Sequence, residues 1–445
     1  MGSYDYEVPE WEGDVFARLI SRMNPPRVEI DNEACDDTTV IRVDSFKKHG
    51  ILLQMIQVLI DLNLIVTKAY ISSDGSWFMD VFNVTDRDGN KVWDKEILAL
   101  IQTSLESDAW NSVGVRPSQE HTSIELIGTD RPGLLSEVCA VLVDLKCNVV
   151  KAEVWTHNTR VAAVVHVTDD ATGLAIEDLD RLSTIRELLC NVLKVDNGSK
   201  TAKMTVSMGL THAERRLHQM MFDDRDYERF DKAEEGDETS RPQVAVLDCA
   251  EKDYSVVILR SKDRPKLLFD TICTLTDMNY IVFHGTVNTG NSDAYQEYYI
   301  RHADGLPISS EAERRRVMQC LQAAIERRAS EGLELELRTE DRVGLLSDIT
   351  RVFRENGLCI KRAEISTDDG KAVDTFYVSE MSGNNVEAKT IDSIRKQLGQ
   401  TILRVKNHLQ PAKPPEEASS STGFLFGNFF KGCSFQSFRL IRSYS

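Results

Sequence analysis

Residues Gly133-Leu-Leu-Ser-Glu-Val-Cys-Ala-Val-Leu-Val-Asp-Leu145 are followed, five residues on, by Lys151-Ala-Glu-Val154. Leu134, Leu135, Val138, Cys139, Leu142 and Leu145 recur at helical spacing, which predicts an amphipathic helix with one apolar face. The same arrangement returns three times. Gly50-Ile-Leu-Leu runs on to Lys68-Ala-Tyr-Ile, Lys266-Leu-Leu-Phe-Asp to His284-Gly-Thr-Val, and Gly344-Leu-Leu-Ser-Asp to Arg362-Ala-Glu-Ile. In every copy 18 residues separate the two landmarks, and the copies start 83, 133 and 78 residues apart. A repeat of about 80 residues is the primary fact of this chain.

Each copy carries the same local signals. A short alternating run precedes the helix at residues 39–43, 122–127, 255–259 and 333–337. Asn63, Lys146, Asn279 and Gly357 close the helix. Two strand-like runs follow, at 148–155 and 161–167 in copy two and at 358–366 and 372–379 in copy four. Thr367-Asp-Asp-Gly joins the last two as a hairpin signal. A second helical pattern ends each unit, at 95–105, 174–193, 310–328 and 387–398, and a short strand such as 402–405 completes it. The order β-α-β-β-α-β predicts an α+β class of tandem ferredoxin-like units, each an antiparallel sheet with both helices on one face. The bare face and edges predict pairing between units. Which copies pair is left open by the sequence.

These signals divide the chain into an N-terminal extension (1–36) and repeats at 37–116, 121–206, 253–330 and 332–408. Residues 207–250 read as a charged, solvated linker, with the run from Asp223 to Asp237 at its centre. Within it, Thr211-His-Ala-Glu-Arg-Arg-Leu-His-Gln-Met-Met has helical character. The tail, 409–445, is Phe-rich and expected to be disordered. Its Phe424-Leu-Phe-Gly-Asn-Phe-Phe run reads as a docking segment, a weak membrane contact or an end that packs locally.

Composition excludes several classes. The 445 residues carry 53 Lys+Arg against 71 Asp+Glu, a net charge of -18. That balance argues against non-specific nucleic-acid binding, which needs a basic surplus. The nine Cys include no C-x-x-C pair and mostly fall in apolar runs, as reduced cysteines do. No secretory signal and no transmembrane stretch is read. His212 and His218 are six apart and fall on different helical faces, so no metal pair is expected there. Cys139 and Cys147 lie at opposite ends of a helix, which argues against zinc. No G-x-G-x-x-G, Walker loop or H-E-x-x-H is present, and no cofactor is expected. Glu153, Thr286 and Glu364 read as strand-face residues.

The turn before the second copy's helix is Gly128-Thr-Asp-Arg-Pro-Gly-Leu-Leu. It resembles the signature of ACT domains, small ligand-binding regulatory modules. Copy four has Asp341-Arg-Val-Gly-Leu-Leu and copy three Asp263-Arg-Pro-Lys-Leu-Leu. Copy one departs most, with Lys47-Lys-His-Gly-Ile-Leu. Four in-frame copies over residues 37–408 are similar to the plant ACT-domain-repeat family, and the tail ending Ile441-Arg-Ser-Tyr-Ser resembles that family's. The ACT portions resemble the regulatory end of bacterial uridylyltransferases. No His-Asp dipeptide of their hydrolase domain occurs here, so the resemblance implies sensing without catalysis. It also implies amino-acid binding at interfaces between paired units.

The turn has its own chemistry. A helix N-terminus offers unpaired N–H groups and about half a positive charge, to which a carboxylate docks. Gly133 lets a ligand approach the backbone, and Pro132 suits an early helical position. Asp130 is placed to cap the helix or meet an ammonium, and Arg131 to pair a carboxylate or face solvent. Leu134 follows on the helix, and Asn148 offers a donor and an acceptor. In copy four the matching residues are Asp341, Arg342, Gly344 and Leu345. A D-x-x-G turn serves equally as a structural cap without ligand. Copy one is not expected to bind, and Lys266 is expected to block copy three. The expectation is a non-enzymatic amino-acid sensor, with a free amino acid as ligand and a protein partner not identified by the sequence. Its rival is a ligand-free interaction scaffold. An oligomer is allowed, the cytoplasm is the default location, and the nucleus is open to a chain of this kind.

Overall fold

The computed structural model describes residues 26–46, 50–74, 77–106, 120–194, 202–208, 212–228, 241–248, 252–290, 292–328, 332–382, 386–398 and 402–406. The Phe-rich tail and the Lys47-Lys48-His49 turn lie outside them. Repeat 1 comprises β1 (Arg27–Asp31), β2 (Thr39–Phe46), α1 (Ile51–Asp61), β3 (Ile65–Asp74), β4 (Trp77–Thr85) and α2 (Lys95–Glu106). Repeat 2 comprises β5 (Thr122–Thr129), α3 (Leu134–Asp144), β6 (Cys147–His157), β7 (Arg160–Asp169), α4 (Leu179–Leu193) and β8 (Lys203–Met208). Helix α5 (Ala213–Asp223) and a 3-10 turn (Asp226–Glu228) follow. Repeat 3 comprises β9 (Gln243–Asp248), β10 (Ser255–Lys262), α6 (Leu267–Asp277), β11 (Tyr280–Gly290), β12 (Asp293–His302) and α7 (Glu311–Glu326). Repeat 4 comprises β13 (Leu333–Glu340), α8 (Leu345–Glu355), β14 (Leu358–Asp368), β15 (Lys371–Glu380), α9 (Ala388–Leu398) and β16 (Ile402–Lys406).

Repeats 2 and 4 follow β-α-β-β-α-β. In repeats 1 and 3 the outer sheet position held by β8 and β16 goes to a strand that precedes the unit, β1 or β9. The alternation Arg-Val-Glu-Ile-Asp suits β1 for this role, and it pairs with β2 from Arg27↔Asp44 to Asp31↔Val40. The stretch expected as an N-terminal extension therefore supplies a strand. The stretch expected as a solvated linker supplies both β9 and α5.

Local chemistry explains the first helix of every repeat. Each starts after a residue in the left-handed region: Gly50, Gly133, Lys266 and Gly344, at φ 79°, 79°, 66° and 80°. Each ends before another, at Asn63, Lys146, Asn279 and Gly357, the usual way to turn a chain out of a helix. The strand after the helix carries a bulge at one equivalent place in all four repeats, next to Val66, Val149, Val282 and Ile360.

Those bulged strands join the repeats. β3 pairs with β11 and β6 with β14, both antiparallel, so repeat 1 joins repeat 3 and repeat 2 joins repeat 4. Two eight-stranded sheets result, in the orders β1-β2-β4-β3-β11-β12-β10-β9 and β16-β13-β15-β14-β6-β7-β5-β8. The first helices of each pair pack together across the seam, α1 on α6 and α3 on α8. One apolar core runs under the helices of each sheet, uniting Met55, Phe82 and Phe269 in the first and Leu142, Phe353 and Phe376 in the second.

Helix α5 covers part of the bare face of the second sheet. Leu217, Met220 and Met221 bury against Ile127, Trp155, Ala162 and Val164. Burial of side chains such as Leu217 and Met221 stabilises by roughly 1.5–3 kcal/mol each. The opposite side of α5 meets α6 of repeat 3 through ions. His218 Nε2 lies 2.7 Å from Asp270 Oδ1, and Arg215 bonds Asp277 twice, once at 2.6 Å. Glu214 bonds Lys266, and Arg328 Nη2 donates to its other oxygen at 2.7 Å. The Arg328 guanidinium stacks 4.5 Å over Trp155 and lies 3.2 Å from Asp270. Next to it, Arg327 bonds both oxygens of Asp226, at 2.7 and 2.6 Å, and Asp226 meets His157 Nδ1 at 2.8 Å. This buried network ties repeat 3 to repeat 2. Burial raises the pKa of Glu214, but Arg328 and Lys266 outweigh it and bring the carboxyl down to about 2.

The seam between repeats 2 and 4 sets Glu153 directly opposite Glu364. Burial, then the Glu364 charge, pushes the Glu153 pKa up to about 7. Its Oε1 accepts the Trp155 Nε1 hydrogen at 2.7 Å, a bond that glutamine would keep. A carboxyl with a raised folded pKa binds more protons folded than unfolded, so stability falls as pH rises from about 4.5 towards 7. Each unit of such a rise corresponds to about 1.4 kcal/mol. Urea titrations of Glu153→Gln should show its advantage over the native chain growing by on the order of 2 kcal/mol between pH 4.5 and 7.5. A pH-independent difference would rule this account out.

Candidate functional site

Two cavities lie at the seam between repeats 2 and 4, related by the pseudo-two-fold symmetry of the pair. The first forms at the repeat-2 turn. Asp130, Arg131, Gly133 and Leu134 line it from repeat 2, and Thr350, Arg354, Leu358 and Ile360 from repeat 4. Its floor is apolar, made by Leu126, Val138, Val154 and Ala163. The second forms at the repeat-4 turn from Asp341, Arg342, Gly344 and Leu345, with Cys139, Val143 and Asn148 of repeat 2 across the seam.

The expected site residues therefore separate. Asn148 does not join Asp130 and Gly133. The 11-residue helix α3 carries the chain roughly 16 Å from its own turn, so Asn148 meets the turn of repeat 4. Pro132 is exposed and does not line the first cavity. Asp130 makes no helix-capping bond, since the N-cap is Gly133, without a side-chain cap. Burial raises the Asp130 pKa, while the Lys361 charge of repeat 4 partly offsets it.

The motif arginine has a structural role. Arg131 bonds both oxygens of Glu137, one at 2.8 Å, and the Val192 carbonyl at 3.3 Å. Arg264 occupies the same place in repeat 3, 2.7 Å from Asp270 Oδ2 and donating to the Ile325 carbonyl at 2.9 Å. Arg342 bonds Asp348 at 2.5 Å. In each case the partner acid lies six residues on, in the first helical turn. Arg131 and Arg264 stitch the turn to their own repeat, while Arg342 makes the same kind of pair at the exposed surface. Lys266, expected to block its turn, points to α5 and is held by Glu214.

The cation that does reach a turn is one the sequence reading missed. A Cβ on Gly133 would lie 2.6 Å from Arg354 Cδ, so the Arg354 stem lies against the glycine. Its guanidinium makes no hydrogen bond among the described residues, and its charge helps lower the Glu137 pKa, after the larger effect of Arg131. At the equivalent place in the second cavity, Val143 stands 3.8 Å from a Cβ on Gly344. The cavities measure about 40 and 20 Å³. On that measure one water needs roughly 10–15 Å³, so each holds at most a few waters and has no room for a larger molecule unless the seam parts.

Among the described residues, no group of three or more His, Cys, Asp or Glu is placed to hold a metal ion. No described helix is long and apolar enough to cross a membrane.

Ferredoxin-like units joined edge to edge, with a glycine-led turn at each end of a seam, define an ACT-domain protein. The profile for the ACR family N-terminal ACT domain matches residues 34–112, and the ACT domain profile matches 122–183 and 334–399. The chain is 62% identical over 434 residues to ACT domain-containing protein ACR6 of Arabidopsis thaliana, covering 94% of this chain and 99% of that one. It is 60% identical to ACR4 of the same plant, covering 97% and 98%. The chain belongs to the ACR family of ACT-domain proteins. A more distant similarity, 24% over 229 residues, links half of the chain to 22% of the bifunctional uridylyltransferase/uridylyl-removing enzyme of Rhodospirillum rubrum.

Proposed function

We propose that this chain is a non-catalytic regulatory protein that binds a free amino acid at the seam between repeats 2 and 4. The repeat-2 cavity is its principal site. The carrying observation is that the Arg354 guanidinium of one repeat, which makes no hydrogen bond among the described residues, is set against the helix N-terminus of the other. In this reading the ligand carboxylate lies between Arg354 and the N–H groups that begin α3. Its ammonium faces Asp130, and the floor of Leu126, Val138, Val154 and Ala163 selects an aliphatic side chain. Because the cavity is small, binding parts α3 from α8, and the shifted packing is the signal read by a protein partner. Such a shift requires that the ligand favour one packing over the other. Repeats 1 and 3 serve as the structural pair, since α5 already holds the Lys266 turn.

Thermal unfolding of the full chain against all twenty amino acids at millimolar concentration tests this. Leucine, isoleucine or valine should raise the midpoint, and ligand at 100 times its dissociation constant adds about 2.7 kcal/mol. Arg354→Ala should weaken that response at least tenfold. A flat response to every amino acid would shift the reading to a ligand-free interaction scaffold.

A further inference from the structure

The second seam cavity differs from the first in its floor. Asp374 of β15 lines it beside Asp341 and Asn148. It is 2% exposed; the Ser366 backbone N–H serves the carboxyl, but among the described residues its Oδ1 has no hydrogen-bond partner. Asp341 Oδ2 accepts the Thr367 Oγ1 hydrogen at 3.1 Å. At the position matching Asp374, repeat 2 has Ala163, and opposite the glycine Val143 replaces Arg354. The cavity thus pairs a helix N-terminus with two carboxylates, one of them buried and half-satisfied. An unpaired buried carboxylate is costly unless a cation or donor reaches it. Arg342, the cation on its rim, is engaged by Asp348.

We propose that the repeat-4 cavity is a second, separately selective site, in which Asp374 chooses an amino acid whose side chain ends in a cationic nitrogen. The ligand carboxylate meets the start of α8, its α-ammonium meets Asp341, and the side-chain nitrogen reaches Asp374 Oδ1. The assignment rests on the proposed function only in using the same seam geometry, because the two cavities select by different residues. Burial, and the Asp341 charge after the opposing Ser366 backbone hydrogen bond, push the Asp374 pKa up to about 7; a cation at Oδ1 would bring it down.

Calorimetric titration of the full chain with lysine and with arginine, each with and without saturating leucine, decides it. One of the basic probes should bind in both conditions. Asp374→Ala should weaken that binding at least tenfold and leave the leucine isotherm unchanged, and Asp374→Asn should lose most of it while keeping the shape of the floor. The unliganded Asp374→Ala protein should melt no lower than the native chain, since it loses a buried carboxyl with one oxygen unserved. Absence of binding by both probes, competition by leucine, or indifference to Asp374→Ala would each overturn the assignment. If leucine itself does not bind but a basic probe does, and Asp374→Ala removes it, the aliphatic site fails and the second site stands.

Discussion

Arg328→Met should destabilise the folded chain by about 3 kcal/mol or more, the range for breaking a buried ion pair by removing one partner. The side chain is among the largest fully buried in the protein. It touches three groups from three elements: Glu214 of α5, Asp270 of α6 and the ring of Trp155 on β6. Methionine fills part of the space and keeps some contact with the indole, but leaves two buried carboxylates short of a cation. Arg264 and His218 still serve Asp270, and Lys266 still serves Glu214, which keeps the expected loss near the lower end of the range. Arg328→Lys should recover only part of it, because an ammonium cannot stack on Trp155 while reaching both acids. Urea unfolding of the three proteins at pH 7 measures this. A loss below 1 kcal/mol for methionine would mean that the network adds little to the union of repeats 2 and 3.

Gly133→Trp should reduce amino-acid affinity at the repeat-2 cavity by at least a hundredfold. Two effects act together. At φ 79° any residue with a Cβ is strained, and the left-handed region costs a non-glycine residue roughly 1–2 kcal/mol. The Cβ also meets Arg354 Cδ at 2.6 Å, so the indole has to displace the arginine and take its place over the helix N-terminus. Gly344→Trp is the matched control. It carries the same backbone strain, but its Cβ meets only Val143, at 3.8 Å, and it should spare the aliphatic response. Midpoint shifts with leucine, measured for both variants, compare the two. Equal loss in both would trace the effect to backbone strain and not to the site.

Much of the architecture was legible because it is local. The left-handed residues that start and stop the first helices are visible as Gly50, Gly133, Gly344, Asn63, Asn279 and Gly357, and the apolar stripe between them is periodic. The pairing was not legible. All four joining strands carry the same bulge and similar patterns, so nothing local tells β3 to choose β11 over β6. The candidate site was half legible for the same reason. Gly133, Asp130, Gly344 and Asp341 lie at the seam turns, but Arg354 comes from the far end of a helix some 200 residues away in sequence, and no motif marks it. Asp374 left a trace: it interrupts the inward-facing series Ala372, Phe376 and Val378 with a charge. The Arg131, Arg264 and Arg342 pairs were open to discovery too, since the acid six residues later recurs in all three repeats.

The interleaved pairing has a consequence for synthesis on the ribosome. The edge of β3 waits for β11, and the edge of β6 for β14, each about 210 residues later in the chain. At roughly 5–20 residues per second the wait lasts roughly 10–40 s for each edge. During it repeats 1 and 2 stand side by side, each with an unpaired strand of nearly the same shape. The nascent chain thus meets a wrong partner before the right one exists, and an early 1–2 union has to be undone or avoided. The Glu153 charge on β6, set against Tyr70 on β3, gives the two waiting edges different chemistry during that interval.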